Sequence, residues 1–249
     1  MNFFPLSIIE LEKATSTNEY AINLLNSQDI PEGTVIRALE QYAGKGQGNK
    51  TWESEPGKNL TFTLILHPVF LPPEKQFFLN EAVALGILDF TGLFISKEKK
   101  SLKWPNDIYA GNRKLGGILI NNIISGMIFE TSIVGIGLNI NQTEFPPLIP
   151  NPVSIKLLIN NDIELRSALI RLCQSVELRY RQLHNAGFKD LQDDYHKNLL
   201  GYDSWRNYLT GDQVMVGKIT GVTETGRLLV QNRESQILEF DHHQIEFLL

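Results

Sequence analysis

Cysteine is almost missing from this sequence: Cys173 is the only one in 249 residues, so no internal disulfide can form. It falls in a stretch with helical apolar spacing (Leu169, Leu172, Val176) and reads as a small core residue, which suits a reducing compartment, the cytoplasm. Long apolar runs are also lacking. No segment approaches the ~20 residues that span a bilayer, and the start has Glu10 and Glu12 but no basic leader, so neither a membrane span nor a signal peptide is expected. Charge of one sign is not in excess: 23 Lys and Arg against 28 Asp and Glu leave a net charge of −5, which argues against a surface built to neutralise nucleic acid. The five histidines (His67, His184, His196, His242, His243) show no metal-ligand spacing among themselves or with Cys173, and no metal site of the chain's own is expected. There is no internal repeat, no low-complexity tract and no Ser-His-Asp or Cys-His arrangement.

A chain of this length can bury roughly 70 to 75% of the surface its unfolded form exposes, enough for a core without staples. The pattern divides it into a large unit, 1–200, and a small one, 201–249. Ser16-Thr17-Asn18 ahead of Ala21, Leu24 and Leu25 predicts a capped amphipathic helix ending before Pro31. Val35 to Leu39 and Asn59 to Leu66 read as strands, and Glu74 to Ile95 as a long helix packed on a sheet. Leu102 to Trp104, Ile108-Tyr109, Leu115 to Ile124 and Met127 to Ile136 read as consecutive antiparallel strands forming the centre of that sheet. A proline-rich loop, Gln142 to Val153, precedes two helices, Glu164 to Asn185 and Phe188 to Leu200. After Gly201, short β-type runs (Val214 to Ile219, Leu228 to Gln231, Ile237 to Phe240) between glycines predict a small β-barrel.

Three segments could carry chemistry. Gly44-Lys45-Gly46-Gln47-Gly48-Asn49-Lys50 offers close-approaching amides and two lysines, yet it lacks the Walker spacing and alone fits a surface turn equally well. Lys103 and Lys114 flank a Trp-Pro-Asn-Asp turn. Alone, this reads first as a core tryptophan, an ordinary turn and two solvated lysines, although such a hairpin could bring both ammonium groups to one anionic site. In Gly135-Ile136-Gly137-Leu138-Asn139, glycines inside a strand mark a bulge, a close approach of backbone or ligand, or tight sheet packing.

Ser16-Thr17-Asn18, Gln41, Trp52 with Pro56-Gly57-Lys58-Asn59-Leu60, Lys103-Trp104-Pro105-Asn106-Asp107, Lys114-Leu115-Gly116-Gly117-Ile118-Leu119 and Gly135 to Asn139 occur in one order over nearly the whole chain. In this the sequence resembles the biotin protein ligases. The resemblance implies an α+β fold, a mixed or antiparallel sheet packed with helices as in class II synthetases, plus an SH3-like C-terminal barrel. It implies an enzyme that joins biotin to AMP at the expense of MgATP and passes the biotinyl group to a lysine of a biotin carboxyl carrier domain, as of acetyl-CoA carboxylase. By position, Ser16, Thr17, Asn18 and Gln41 would hold biotin's ureido ring. Lys45, Gly46 and Gln47 would cover the valerate and phosphate, with Lys114, Gly116 and Gly117 beside them. Lys45, Trp52, Lys103, Asn106, Lys114 and Asn139 would surround the nucleotide. Lys114 would be the principal charge stabiliser, Lys103 a second, and Asp107 an orienter or proton acceptor. Neither nucleic acid nor membrane is implied, and the protein is a monomer or a homodimer.

The sequence departs from the family in the glycine loop, where Lys45 and Gln47 stand in place of arginines. Two bidentate forks become one point charge and one neutral amide, which implies looser retention of the adenylate. Two other readings are open: a lipoate or octanoate ligase, and a non-catalytic biotin-binding regulator. Only 15 residues precede Ser16, too few for a helix-turn-helix unit.

Overall fold

The computed structural model describes residues 7–48, 50–96, 99–126, 128–185 and 187–249. Asn49 of the glycine loop and Met127, where the fourth expected strand begins, lie outside them.

A seven-stranded mixed sheet organises the larger part, in the order β1 (Ile8–Ala14), β2 (Val35–Gln41), β3 (Leu60–Leu66), β7 (Ile128–Leu138), β6 (Arg113–Ser125), β5 (Asp107–Ala110), β4 (Lys100–Lys103). Only β1 and β2 are parallel. The run from Leu102 to Ile136 forms four successive antiparallel strands as expected, but of these only β7 lies at the centre of the sheet. β3 pairs with β7 and brings β1 and β2 onto its far side, which leaves β4 at the edge. That edge is covered by a strap: Leu102 N–H donates to the Asn198 carbonyl and Leu200 N–H to that of Leu102, both at 2.8 Å.

Alternation assigns the two faces. Leu60, Phe62, Leu64 and Leu66 of β3, with Val134 and Ile136 of β7, join the main core beneath α2 (Phe77–Thr91), α4 (Leu165–Asn185) and α5 (Phe188–Lys197). Ile36, Ile65 and Ile133 point the other way, under α1 (Thr17–Leu25) with Ala21. α2 is shorter than expected because Pro73 starts a 3-10 turn (Pro73–Lys75) and Gly92 caps the end. Cys173 is buried on α4, in the core. A short helix, α3 (Ile155–Ile159), follows the proline-rich segment and was not expected. The second sheet is antiparallel, in the linear order β11 (Ile237–Phe240), β10 (Leu228–Asn232), β9 (Gln213–Val222), β8 (Trp205–Thr210), β12 (Glu246–Phe247). Among the described residues no helix is long and apolar enough to cross a membrane.

Candidate active site

The α1 face of the large sheet carries the site. Residues directly paired across antiparallel strands point to the same side. One such row runs Lys103, Asp107, Gly117, Gly137, Thr61 across β4, β5, β6, β7 and β3. The next runs Leu119, Gly135, Thr63. A strip of backbone bare of side chains thus lies between a charged end and a hydroxyl-bearing end.

The pairing opposite Gly135 and Gly137 is uninterrupted, so these glycines mark close approach and not a bulge. A Cβ at Gly135 would lie 2.5 Å from Asn18 Oδ1, and one at Gly137 would collide with the Trp52 indole. Asn18 and Trp52 therefore rest on the strip. The indole nitrogen of Trp52 is buried and has no acceptor within the described residues.

At the polar end the hydrogen bonds have one consistent direction. Asn18 Nδ2 donates to the Leu119 carbonyl at 3.1 Å and to Asn121 Oδ1 at 3.0 Å, so its Oδ1 must accept. The Thr63 hydroxyl lies 2.6 Å from that oxygen, to which it donates, and 2.8 Å from the Thr17 hydroxyl oxygen. Gln41 Oε1 accepts from the Thr17 backbone N–H at 2.7 Å, so the first turn of α1 is satisfied from β2. Ser16 occupies the N-cap position with no side-chain cap bond, contrary to the expected cap.

We expect Gly135→Ala to push Asn18 off this chain of bonds while the sheet still forms. The KM for the ligand held here should rise about tenfold or more, the cost of one lost buried hydrogen bond. An unchanged KM in a folded variant would show that the chain does not bear on binding.

At the charged end Lys114 Nζ lies 2.7 Å from Asp107 Oδ1, both side chains partly buried. A β-bulge creates this pair. The β5–β6 register shifts between Ile108, which faces Gly116, and Tyr109, which faces Lys114, leaving Leu115 as the extra residue. Without the shift, alternation from Gly117 would put Leu115 on this face and Lys114 on the reverse. As built, Leu115 is in the core and a Cβ on Gly117 would lie 3.7 Å from Lys114 Nζ. The proline-rich segment pins the backbone at this point, with Lys114 N–H donating to Asn151 O at 2.7 Å and Val153 N–H to Lys114 O at 2.9 Å.

Lys103 Nζ sits 5.6 Å from the Tyr109 ring centre and 5.3 Å from that of Phe247. Burial pulls its pKa below the usual lysine value; Lys114 and Lys50 add to the fall, and Asp107 and Glu246 oppose it. Lys103 and Lys114 thus share one field, as the sequence suggested. Lys45 is not in it: its ammonium pairs with Glu19 of α1, while Gly46 N–H bonds to Lys50 O at 2.7 Å in a small folded loop. Gln47 is half-buried in that loop. Gly116 serves strand packing, since a Cβ there would meet Gly137 O and Leu138. Asn106 ties the turn to β6 (Nδ2 to Ile118 O, 2.7 Å), and Asn139 ties β7 to the proline-rich segment (Nδ2 to Val153 O, 3.0 Å). The Trp104–Pro105 peptide is cis.

A sequence profile describing the biotin/lipoate A/B protein ligase family matches residues 10–139, a little over half of the chain and the part that builds this site. The chain belongs to that family. It is 30% identical over 226 residues to the bifunctional ligase/repressor BirA of Bacillus subtilis, across 88% of this chain and 68% of that protein. It is 25% identical to the biotin–[acetyl-CoA-carboxylase] ligase of Paracoccus denitrificans, across 89% and 92%. The biotin protein ligase of Aquifex aeolicus in complex with biotin and ATP superposes with a TM-score of 0.78 at 25% identity, covering 96% of this chain and 97% of that one.

Within this family fold, sequence reasoning missed Thr63, Asn121, Glu246 and Phe247. The threonines alternating in Leu60-Thr61-Phe62-Thr63 were a usable sign of a polar strand face. No local signal marked Phe247, whose contact with Lys103 joins elements 144 positions apart in the chain.

Proposed function

We propose that this protein activates biotin with ATP to biotinyl-5′-AMP, releasing pyrophosphate, and then transfers the biotinyl group to a lysine of a biotin carboxyl carrier domain, releasing AMP. The observation carrying this reading is the bare strip between the Thr17–Asn18–Thr63 hydroxyl and amide cluster and the Lys103–Lys114–Asp107 charge cluster. A ureido ring brings two N–H donors and one carbonyl. The Thr17 hydroxyl oxygen suits an N–H, and Gln41, with its oxygen engaged, offers its amide N–H₂ to the carbonyl. Ser16 and Asn18 complete that end. The carboxylate at the other end of biotin then lies toward the lysines, where two cations lower the repulsion between it and the α-phosphate.

In this assignment Lys114 stabilises the charge that builds on the α-phosphate and Lys103 the departing pyrophosphate. Trp52, resting on Gly137, forms a wall of the adenylate site. Asn106 and Asn139, each tied into the frame on its amide side, complete the surround with Gly116 and Gly117. Lys45, Gly46 and Gln47 form the cover; to reach the phosphate Lys45 must leave Glu19, a surface pair of small worth. Magnesium enters as MgATP. Asp107 holds Lys114 in place and accepts the proton of the incoming amine. On that assignment Asp107→Asn should slow transfer from pre-formed biotinyl-AMP by about 10²-fold, within the usual range for a lost general base. Normal single-turnover transfer would remove the role. The acceptor is a carboxylase carrier domain, residues 201–249 form a separate β-domain, and the single buried cysteine suits the cytoplasm. The test is to mix the protein with biotin, MgATP and a carrier domain. A mass increase on the acceptor supports the reading, and none with biotin, or one only with lipoate, overturns it.

A further inference from the structure

Two contacts join the C-terminal sheet to the lysine turn from opposite sides. The Trp104 indole N–H donates to the Gly226 carbonyl at 2.9 Å. Gly226 sits at φ +92° with its Cα against the Phe77 ring of α2, where any side chain would collide. Only a glycine brings that carbonyl to the indole. Val222, four residues earlier at the end of β9, is also held, its N–H donating to His196 Nε2 at 2.9 Å. On the other side Phe247, on the two-residue strand β12, presents its ring 5.3 Å from Lys103 Nζ. Phe247 is itself fixed, edge-on to the buried Tyr208 at 5.3 Å. The ring therefore holds its place whether or not the lysine does.

We propose that Phe247 is a positioning residue for the ligase reaction: its π face, delivered by the C-terminal sheet, holds the Lys103 ammonium charged and aimed at the phosphates. The attraction of a ring quadrupole for a cation is strongest where water is scarce, as beside this lysine. The groups facing Lys103 are Asp107 and Tyr109 of β5, Lys114 of β6, Lys50 of the glycine loop, and Glu246 and Phe247 of β12. Burial and two lysines push the proton off; the Phe247 and Tyr109 rings and the two carboxylates keep it on. The trace of this role would be a rate that fails at lower pH when the ring is lost.

The role of Phe247 in the reaction rests on the ligase reading; its hold on Lys103 does not, and the experiment separates them. Lysine ammonium groups of the intact protein are dimethylated with ¹³C-formaldehyde and the Lys103 methyl signal, assigned by its absence in Lys103→Arg, is titrated by NMR. Phe247→Leu keeps an apolar neighbour but removes the π face. The Lys103 titration should move to lower pH by roughly half a unit to one unit, the shift a cation–π contact supports. The alkaline limb of pyrophosphate release should move with it, in kcat more than in KM. Phe247→Tyr keeps the ring face and should restore both. An unmoved Lys103 titration in folded Phe247→Leu overturns the proposal, as does a Phe247→Tyr variant that behaves like the leucine. If the titration moves as expected but the wild-type protein makes no biotinyl-AMP, the hold on Lys103 stands and the ligase reading is the one that fails.

Discussion

Lys114→Ala is expected to abolish adenylate formation in a protein that still folds, with pyrophosphate release from biotin and MgATP falling by about 10²- to 10³-fold. An ammonium about 4 Å from an oxyanion contributes roughly 4 kcal/mol at an effective dielectric near 20, and each 1.4 kcal/mol is about a factor of ten in rate. Lys114 is only partly buried, so water screens some of this, which places the loss below the full three decades. The substitution also leaves Asp107 without its 2.7 Å partner, next to the same phosphates, and an unpaired carboxylate there repels what the lysine attracted. Lys103→Ala should cost less, because Asp107 and Lys114 survive as a pair. Isotope exchange between pyrophosphate and ATP reads the first step without the acceptor. Exchange within threefold of wild type in Lys114→Ala would end the assignment of this lysine to the chemistry.

The second large effect concerns stability and lies outside the site. Glu81 on α2 is fully buried, and its carboxyl group has at most a weak hydrogen bond, from Gln192 of α5. Burial pushes its pKa up from 4.5 to about 8, with Gln192 of α5 opposing the rise only in part. The folded protein therefore holds a proton that the unfolded chain gives up near its ordinary value. Between about pH 4.5 and pH 8 the unfolded state binds fewer protons, so stability declines as pH rises through this window and levels off above it. At about 1.4 kcal/mol per pH unit the loss is on the order of 3 to 5 kcal/mol. Glu81→Gln keeps the shape, carries no charge at any pH and can pair with Gln192. Its melting temperature should exceed that of the wild type by several degrees at pH 9 and match or fall slightly below it at pH 5. Melting curves that run parallel with pH in the two proteins would show that Glu81 is not the group responsible.

Much of the frame was legible locally, because helices and central strands are written in short-range periodicity. Leu169, Leu172 and Val176 identified α4 and placed Cys173 inside it, and the apolar and β-branched stretch from Asn59 to Leu66 identified β3. The elements that escaped notice were those with little periodic burial. β1 is an edge strand with mixed exposure along its length, α3 is little more than one turn, and β8 and β12 pair at the border of the small sheet. Their identity comes from partners distant in the chain. For the same reason the lysine-flanked turn was set in the middle of the sheet, when pairing of β3 with β7 puts β4 at the edge.

By itself, the sequence determined which chemistry was available: two lysines about a turn, glycines where backbone must come close, hydroxyls and amides near Ser16 and Gln41, and no cysteine or histidine cluster to suggest another mechanism. Only the tertiary structure decided which of these groups meet. A one-residue bulge brings Lys114 round to the face of Asp107, a row of paired residues lines up Lys103 with Thr61 across five strands, and a phenylalanine near the end of the chain stands beside the lysine turn. Side-chain facing in a sheet has a period of two residues, so a single shift in register reverses it, and register is set by pairing between strands and not by the residues of either strand alone.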